Sequence, residues 1–166
     1  MDVLETLAEQ VGAALQSRGL MLASAESCTG GWVGAAVTAI AGSSQWYDRG
    51  FITYTNASKQ EMLGVSATTL AENGAVSEPT VREMAAGALK HSYAHVALAI
   101  SGIAGPGGAV PGKPVGTVCI AWALRSGASR AQTFHFDGDR SAVRQQAVNA
   151  ALRGVLEMIE EDPLLA

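Results

Sequence analysis

The chain of 166 residues predicts one domain, residues 1–166, folded as a three-layer α/β/α sandwich around a mixed β-sheet. Three observations carry that expectation. The length suits a single core that stands without disulfides or metals. Hydrophobic residues make up 48% of the chain and charged ones 16%, with 19 Gly and three Phe, so the interior is built from Ala, Val, Leu and Ile and suits closely packed α/β layers. Helical and strand periodicities alternate along the chain and end in a hairpin, which makes part of the sheet antiparallel.

Val3, Leu4, Leu7, Val11, Ala14 and Leu15 recur at helical spacing, and Gly19 supplies the stop. Met21–Ala25 is short and apolar enough for a buried strand, residues 27–31 form a turn of small residues, and Trp32–Ile40 resumes a helical pattern that Gly42 ends. Phe51–Thr55, aromatic and β-branched, reads as a second strand, after which Asn56 caps a helix containing Lys59, Met62 and Leu63. A short helix is expected at 67–72. Ser77 or Glu78, followed by Pro79, opens another that runs to His91, since proline fits a first turn. Val96–Ile100 is a third strand. Pro106, Pro111 and Pro114 among many glycines make 102–116 a loop. Val118–Leu124 and Ala131–Phe136, parted by a turn at Ser126-Gly127, form the hairpin, and Ala142–Ile159 is the terminal helix. With the 67–72 piece set aside, the order is αβαβααβββα. In open sheets of this kind ligands collect beyond strand ends.

The formal net charge of -4 and the scattered Lys and Arg leave no electrostatic footprint for nucleic acid. The first residues are amphipathic and acidic where a signal peptide would be basic, and no apolar run approaches the roughly 20 residues of a spanning helix. A cytoplasmic protein without a membrane partner is expected. Cys28 and Cys119 are too few for a disulfide framework and suit a reducing compartment.

Several residues could carry chemistry. Glu26-Ser27-Cys28-Thr29-Gly30-Gly31 lies where a strand gives way to a helix, so backbone N–H groups and the helix dipole favour an anion there. Ser27 is then a nucleophile beside an oxyanion hole, or the turn cradles phosphate, or Ser27 or Thr29 merely caps the helix. Lys59 falls in the first turn of its helix, where the dipole opposes a positive charge; with burial, its pKa falls toward that of a base, and on a solvated surface it does nothing special. Tyr54 could place its phenol beside that lysine or serve as an ordinary amphipathic strand residue. Ser101-Gly102-Ile103-Ala104-Gly105-Pro106 is either a backbone nest for phosphate or ribose or a plain loop. Arg140 and Arg144, one turn apart at the start of the last helix, await either a bound phosphate or neutralisation by Asp137 and Asp139. His91 and His95 straddle an expected helix end and His135 lies in a strand, a poor zinc pattern, so no metal site is expected. Cys28 is either a thiol nucleophile or a small buried core residue.

Ala25-Glu26-Ser27-Cys28-Thr29-Gly30-Gly31, Gly42-Ser43-Ser44, Thr53-Tyr54-Thr55-Asn56, Gly74-Ala75-Val76-Ser77-Glu78, Ser101-Gly102-Ile103-Ala104-Gly105-Pro106 and Gly138-Asp139-Arg140 follow one another in an order that resembles the CinA C-terminal-domain family over nearly the whole chain. The likeness is to its stand-alone amidases of Gram-negative bacteria. That resemblance implies the same three-layer fold, and it implies Ser27 as nucleophile, Lys59 as base and Tyr54 as a third catalytic group. It implies hydrolysis of nicotinamide mononucleotide to nicotinate mononucleotide and ammonia by serine–lysine acyl transfer, in pyridine nucleotide (NAD) recycling, with no metal or organic cofactor. Cys28, Thr29, Gly30, Gly31, Ser101, Gly102, Gly105 and Arg140 are the expected substrate contacts. The expected partner is a small-molecule nucleotide, and a homo-oligomer is compatible with the reading. Many relatives carry a further N-terminal domain similar to molybdopterin-binding proteins, and no counterpart of it is expected here. The alternative is a non-catalytic nucleotide-binding or regulatory module, in which the glycine turns hold phosphate and Ser27 forms no acyl intermediate.

Overall fold

The structure, a computed structural model, describes residues 2–165. Helix α1 (Val3–Ser17) starts at Asp2, whose carboxylate accepts the Glu5 N–H at 2.7 Å. It ends where Gly19, at φ 67°, donates to Gln16 O while Leu20 donates to Leu15 O, the paired bonds of a Schellman end. Strand β1 (Leu22–Glu26) passes through the turn at 27–31 into α2 (Trp32–Thr38). A 3-10 turn at Ser43–Gln45 precedes β2 (Tyr47–Ile52), then α3 (Asn56–Leu63), α4 (Ala67–Asn73) and α5 (Glu78–Lys90), the last capped by Ser77 with proline in its first turn. Strands β3 (Val96–Gly102), β4 (Thr117–Leu124) and β5 (Ser129–His135) lead to α6 (Arg140–Glu161).

The sheet order is β2-β1-β3-β4-β5, with β1 parallel to both β2 and β3 and the β3–β4 and β4–β5 pairs antiparallel. The mixed sheet and the three layers expected from the sequence are therefore present. Alternation along each strand makes its two faces unlike. Leu22, Val96, Leu98, Ile100, Val118, Ile120, Trp122 and Leu124 turn large side chains to α1, α2 and α6. Ala23, Ala25, Ala97, Ala99, Ala121 and Ala123 turn the other way, to α5 and its neighbours. A face of alanines lets a helix approach closely, while the bulky face needs small residues on the helix opposite. Trp122 meets this need at Gly154 of α6, where an added Cβ would lie 2.1 Å from its Cε2 atom, and its indole N–H donates to Ala151 O at 2.8 Å.

Several boundaries differ from the sequence reading, those of β2, α3 and α6 among them. Strand β2 begins at Tyr47, not at Phe51, and ends at Ile52; the polar stretch Tyr47-Asp48-Arg49-Gly50 is tolerated because β2 is an edge strand, half exposed. Thr55, not Asn56, caps α3: its hydroxyl accepts the Ser58 N–H at 3.1 Å, and the Ser58 hydroxyl accepts the Thr55 N–H at 3.1 Å. This is a reciprocal capping box built with serine, and it makes Asn56 the first helical residue. Helix α6 begins at Arg140, behind Asp139, whose carboxylate accepts the Ala142 N–H.

Candidate functional site

The parallel strands β1, β2 and β3 all end on one edge of the sheet, and the antiparallel β4 starts there. Strand β1 has a neighbour on each side, so the connections leaving β1 and β3 diverge around a crevice at its tip. A cavity of about 290 Å³ opens at this point, with Ser27, Tyr54, Lys59, Ser101, Gly105 and Arg140 among its lining residues.

Ser27 is the first residue beyond β1. Its N–H donates to Ile100 O at 3.0 Å, which carries the β1–β3 ladder one step further and fixes the serine at the strand tip. The Lys59 Nζ lies 3.0 Å from Ser27 Oγ and 2.8 Å from Thr53 O. Lys59 is only 1% exposed, and among the described residues no carboxylate lies within ion-pairing distance of it. Burial therefore pushes its pKa below the ordinary lysine range, with the Cys28 thiol acting weakly in the other direction. The sequence reading assigned the same direction mainly to the helix dipole. Because Thr55 is the cap, Lys59 stands fourth in α3, and desolvation is the larger cause.

The turn at 27–31 is held from two sides. Glu26, 2% exposed, accepts the Thr29 hydroxyl at 2.6 Å and the Val33 N–H at 2.9 Å on one oxygen, and the Gly34 N–H at 3.2 Å on the other. The positive end of α2, expected to await a ligand anion, is thus occupied by the protein's own carboxylate. On the other side Arg144 donates from Nε to Cys28 O at 2.9 Å and from Nη2 to Thr29 O at 3.1 Å, with its guanidinium 5.4 Å from the centre of the Trp32 ring. Neither Asp137 nor Asp139 pairs with Arg140 or Arg144.

Tyr54 lies just past β2, 60% exposed, and its hydroxyl accepts from Arg140 Nη2 at 2.9 Å; the phenol meets Arg140, where the sequence reading set it beside Lys59. Arg140 also donates to Gly105 O at 2.7 Å, so one guanidinium ties α6 to both sides of the cavity mouth. Cys28 is buried on the cavity wall, and desolvation pushes its thiol up to about 11, which makes it a poor nucleophile at neutral pH. Ser101, Gly102 and Gly105 line the cavity as expected, and a Cβ on Gly102 would lie 2.7 Å from Val118 Cγ2 and 3.1 Å from Cys28 Sγ. Thr29, Gly30 and Gly31 do not line it. Thr29 is fully buried on Glu26, and the two glycines, at φ 59° and 104°, shape the turn.

His95 accepts the Met21 N–H on Nδ1 at 3.0 Å, a structural role, and among the described residues no three His, Cys, Asp or Glu side chains gather around a point. Sequence reasoning gave no site role to Glu26 by itself or to the Arg144 contacts, nor to Asn56, Ala75 and Val76 of the cavity wall, although these last three stand in the quoted motifs. The one signal for Glu26 was an acid closing an otherwise apolar strand.

Residues 4–159 match the sequence profile of the CinA C-terminal domain. The chain is 55% identical over 150 residues to the nicotinamide-nucleotide amidohydrolase PncC of Escherichia coli K12, covering 90% of this chain and 91% of that protein. It is 46% identical over 160 residues to the protein of the same name from Pseudomonas putida, covering 95% and 98% of the two. Among solved structures, the competence/damage inducible protein CihA from Agrobacterium tumefaciens superposes with a TM-score of 0.92 at 44% identity, covering 95% of this chain and 96% of that one.

Proposed function

The chain belongs to the CinA C-terminal domain family, and from that premise we propose that it hydrolyses the carboxamide of nicotinamide mononucleotide, with Ser27 as nucleophile and Lys59 as base. The observation that carries the reading is the Lys59–Ser27 contact of 3.0 Å, made by a buried lysine without a carboxylate partner on the floor of a cavity. A lysine kept charged by an ion pair could only donate to the serine. One depressed by burial can lose its proton, accept that of Ser27 on its lone pair, and keep an N–H on Thr53 O for orientation.

The steps balance as acyl transfer. Ser27 Oγ bonds to the carboxamide carbon while its proton passes to Lys59. The tetrahedral intermediate collapses, the carbon–nitrogen bond breaks, and Lys59 returns the proton to the leaving nitrogen, which departs as ammonia. Water then attacks the acyl-serine as Lys59 takes its proton, and Lys59 passes that proton to Ser27 Oγ as the ester bond breaks, giving nicotinate mononucleotide, a free Ser27 and a neutral lysine. No step calls on a metal or an organic cofactor. The backbone N–H groups of the turn that follows Ser27 are candidates for receiving the oxyanion, with Cys28 on the cavity wall.

Arg140 and Tyr54 at the mouth supply a cation and a hydroxyl for the phosphate end, and Ser101, Gly102 and Gly105 supply close backbone approach. The cavity volume sits near the lower bound of small-molecule sites, about 300 Å³, which suits one nucleotide. Such an activity would return the pyridine nucleotide to NAD synthesis as its acid. The test is ammonia release from nicotinamide mononucleotide by purified protein, with an acyl-enzyme trapped on Ser27 by rapid quench and mass spectrometry. Full turnover by Ser27→Ala would overturn the reading.

A further inference from the structure

We propose that Ser101 is a further catalytic residue, whose hydroxyl donates to the oxygen of the reacting carboxamide as that oxygen becomes an oxyanion. The inference rests on the acyl-transfer reading above. Ser101 follows Ala97 and Ala99 on the face of β3 that meets α5, and at the strand tip that face opens into the cavity. The residue is 1% exposed and lines the cavity beside Ser27 and Lys59, and among the described residues its hydroxyl has no hydrogen-bond partner. Its cross-strand neighbour Cys119 pairs with the Thr133 hydroxyl at 3.5 Å, and that hydroxyl donates to Glu78 at 2.7 Å, so these groups are satisfied without Ser101. A hydroxyl held away from water with no partner costs free energy, which a bound acceptor offsets.

The sheet decides which part of the substrate that acceptor is. The bond from the Ser27 N–H to Ile100 O carries the β1–β3 register one step past the Glu26–Ile100 pair and brings Ser27 level with Ser101. Neighbouring strands lie about 4.8 Å apart, so two hydroxyls on this face stand too far apart to bond each other and leave room for one oxygen atom between them. Lys59 approaches Ser27 from the opposite flank. Its second bond is to Thr53 O, just past β2, and the order β2-β1-β3 puts Thr53 and Ser101 on either side of the nucleophile. A carboxamide carbon bonded to Ser27 Oγ carries one nitrogen and one oxygen. The nitrogen faces Lys59, which protonates it as it leaves, so the oxygen faces β3 and Ser101. There the Ser101 O–H donates to it, more strongly once it is charged, and adds a side-chain donor to the backbone N–H groups of the turn. Ser101 gives up no proton and is unchanged when the intermediate collapses.

Ser101→Ala and Ser101→Cys are compared with wild type in three measurements: ammonia release from nicotinamide mononucleotide, its dependence on pH, and the urea midpoint. For Ser101→Ala, kcat should fall about a hundredfold, as for loss of one oxyanion donor, while KM changes less than about threefold. The pH midpoint of kcat should stay in place, because Lys59 remains the base. The urea midpoint should hold or rise, since removing a hydroxyl with no partner in the free protein leaves nothing unsatisfied. Ser101→Cys has a similar shape and a weaker donor, and should lose kcat as well; if the Ala variant does not fold, the Cys variant decides by the same split. A loss confined to KM, a displaced pH midpoint, or a lower urea midpoint with kcat unchanged would overturn the inference. An enzyme that depends on Ser27 but is indifferent to Ser101 would overturn it while leaving the acyl-transfer reading intact, whereas an active Ser27→Ala enzyme would overturn that reading itself.

Discussion

Replacing Lys59 with Met separates what the amine does for the chemistry from what its burial costs the fold. The two side chains are of similar length, and the site, 1% exposed, accepts an apolar chain. In the folded protein burial holds the Lys59 pKa below its ordinary value of 10.5, a value the unfolded chain regains. Between the two values the unfolded chain binds one more proton than the folded one. The contribution of Lys59 to stability is therefore fully present above 10.5 and is lost as pH falls through the folded pKa. One proton corresponds to a slope of at most about 1.4 kcal/mol per pH unit, and methionine has none. Burial also raises the pKa values of Cys28, Cys119 and Tyr47, which tilts stability the other way at alkaline pH; both proteins share these groups, so the difference between them isolates the lysine. The variant leaves Thr53 O without its donor, at a cost of about 1–3 kcal/mol that does not vary with pH. Urea unfolding of both proteins at intervals from pH 7 to 10 should show wild type gaining on the variant as pH rises, while kcat of the variant is lower by about 10²–10⁴. A stability difference flat across that range would refute a lysine depressed by burial.

Ser27→Ala and Lys59→Ala should each lower kcat by orders of magnitude and the double variant by little more, because the two act in one step; additive losses in ammonia-release kinetics would argue against the pair. Arg140→Ala should raise KM for nicotinamide mononucleotide more than it lowers kcat, by about tenfold, and an unchanged KM would move the phosphate elsewhere. Cys28, buried with its thiol pushed up to about 11, should resist iodoacetamide at pH 7.5, and Cys28→Ala should keep turnover within about tenfold. Gly154→Ala puts a methyl group 2.1 Å from Trp122 Cε2 and should destabilise by about 1–3 kcal/mol in urea titration, with the remaining folded enzyme active.

What the sequence made legible was local. Gly19 after an amphipathic run and Pro79 after Ser77 each announced a helix end through chemistry contained within a few residues, and both ends are where they were expected. The Ser27–Lys59 pairing was legible because two short motifs bear a family resemblance, although the spacing of 32 residues holds no geometric information. Glu26 and Arg144 were opaque for a different reason. A carboxylate before a helix and an arginine near another helix start each look like half of an ion pair or of a ligand site. In the fold both turn mainly to backbone groups, Glu26 to two amides beside the Thr29 hydroxyl and Arg144 to two carbonyls, and backbone partners carry no signature in the side-chain sequence. Strand β2 was misplaced because polar residues argue against a strand only when both of its edges are paired.

The reach of Arg144 back to Cys28 spans 116 positions in a chain of 166. A ribosome making about 5–20 residues per second would deliver the nucleophile turn roughly 6–23 s before the arginine that braces it. Throughout that interval the turn has Glu26 on one side and nothing on the other, so the last helix acts as a completion signal. A chain that stops short of α6 carries the serine and the lysine but lacks both the brace on the nucleophile turn and the Arg140 that spans the cavity mouth.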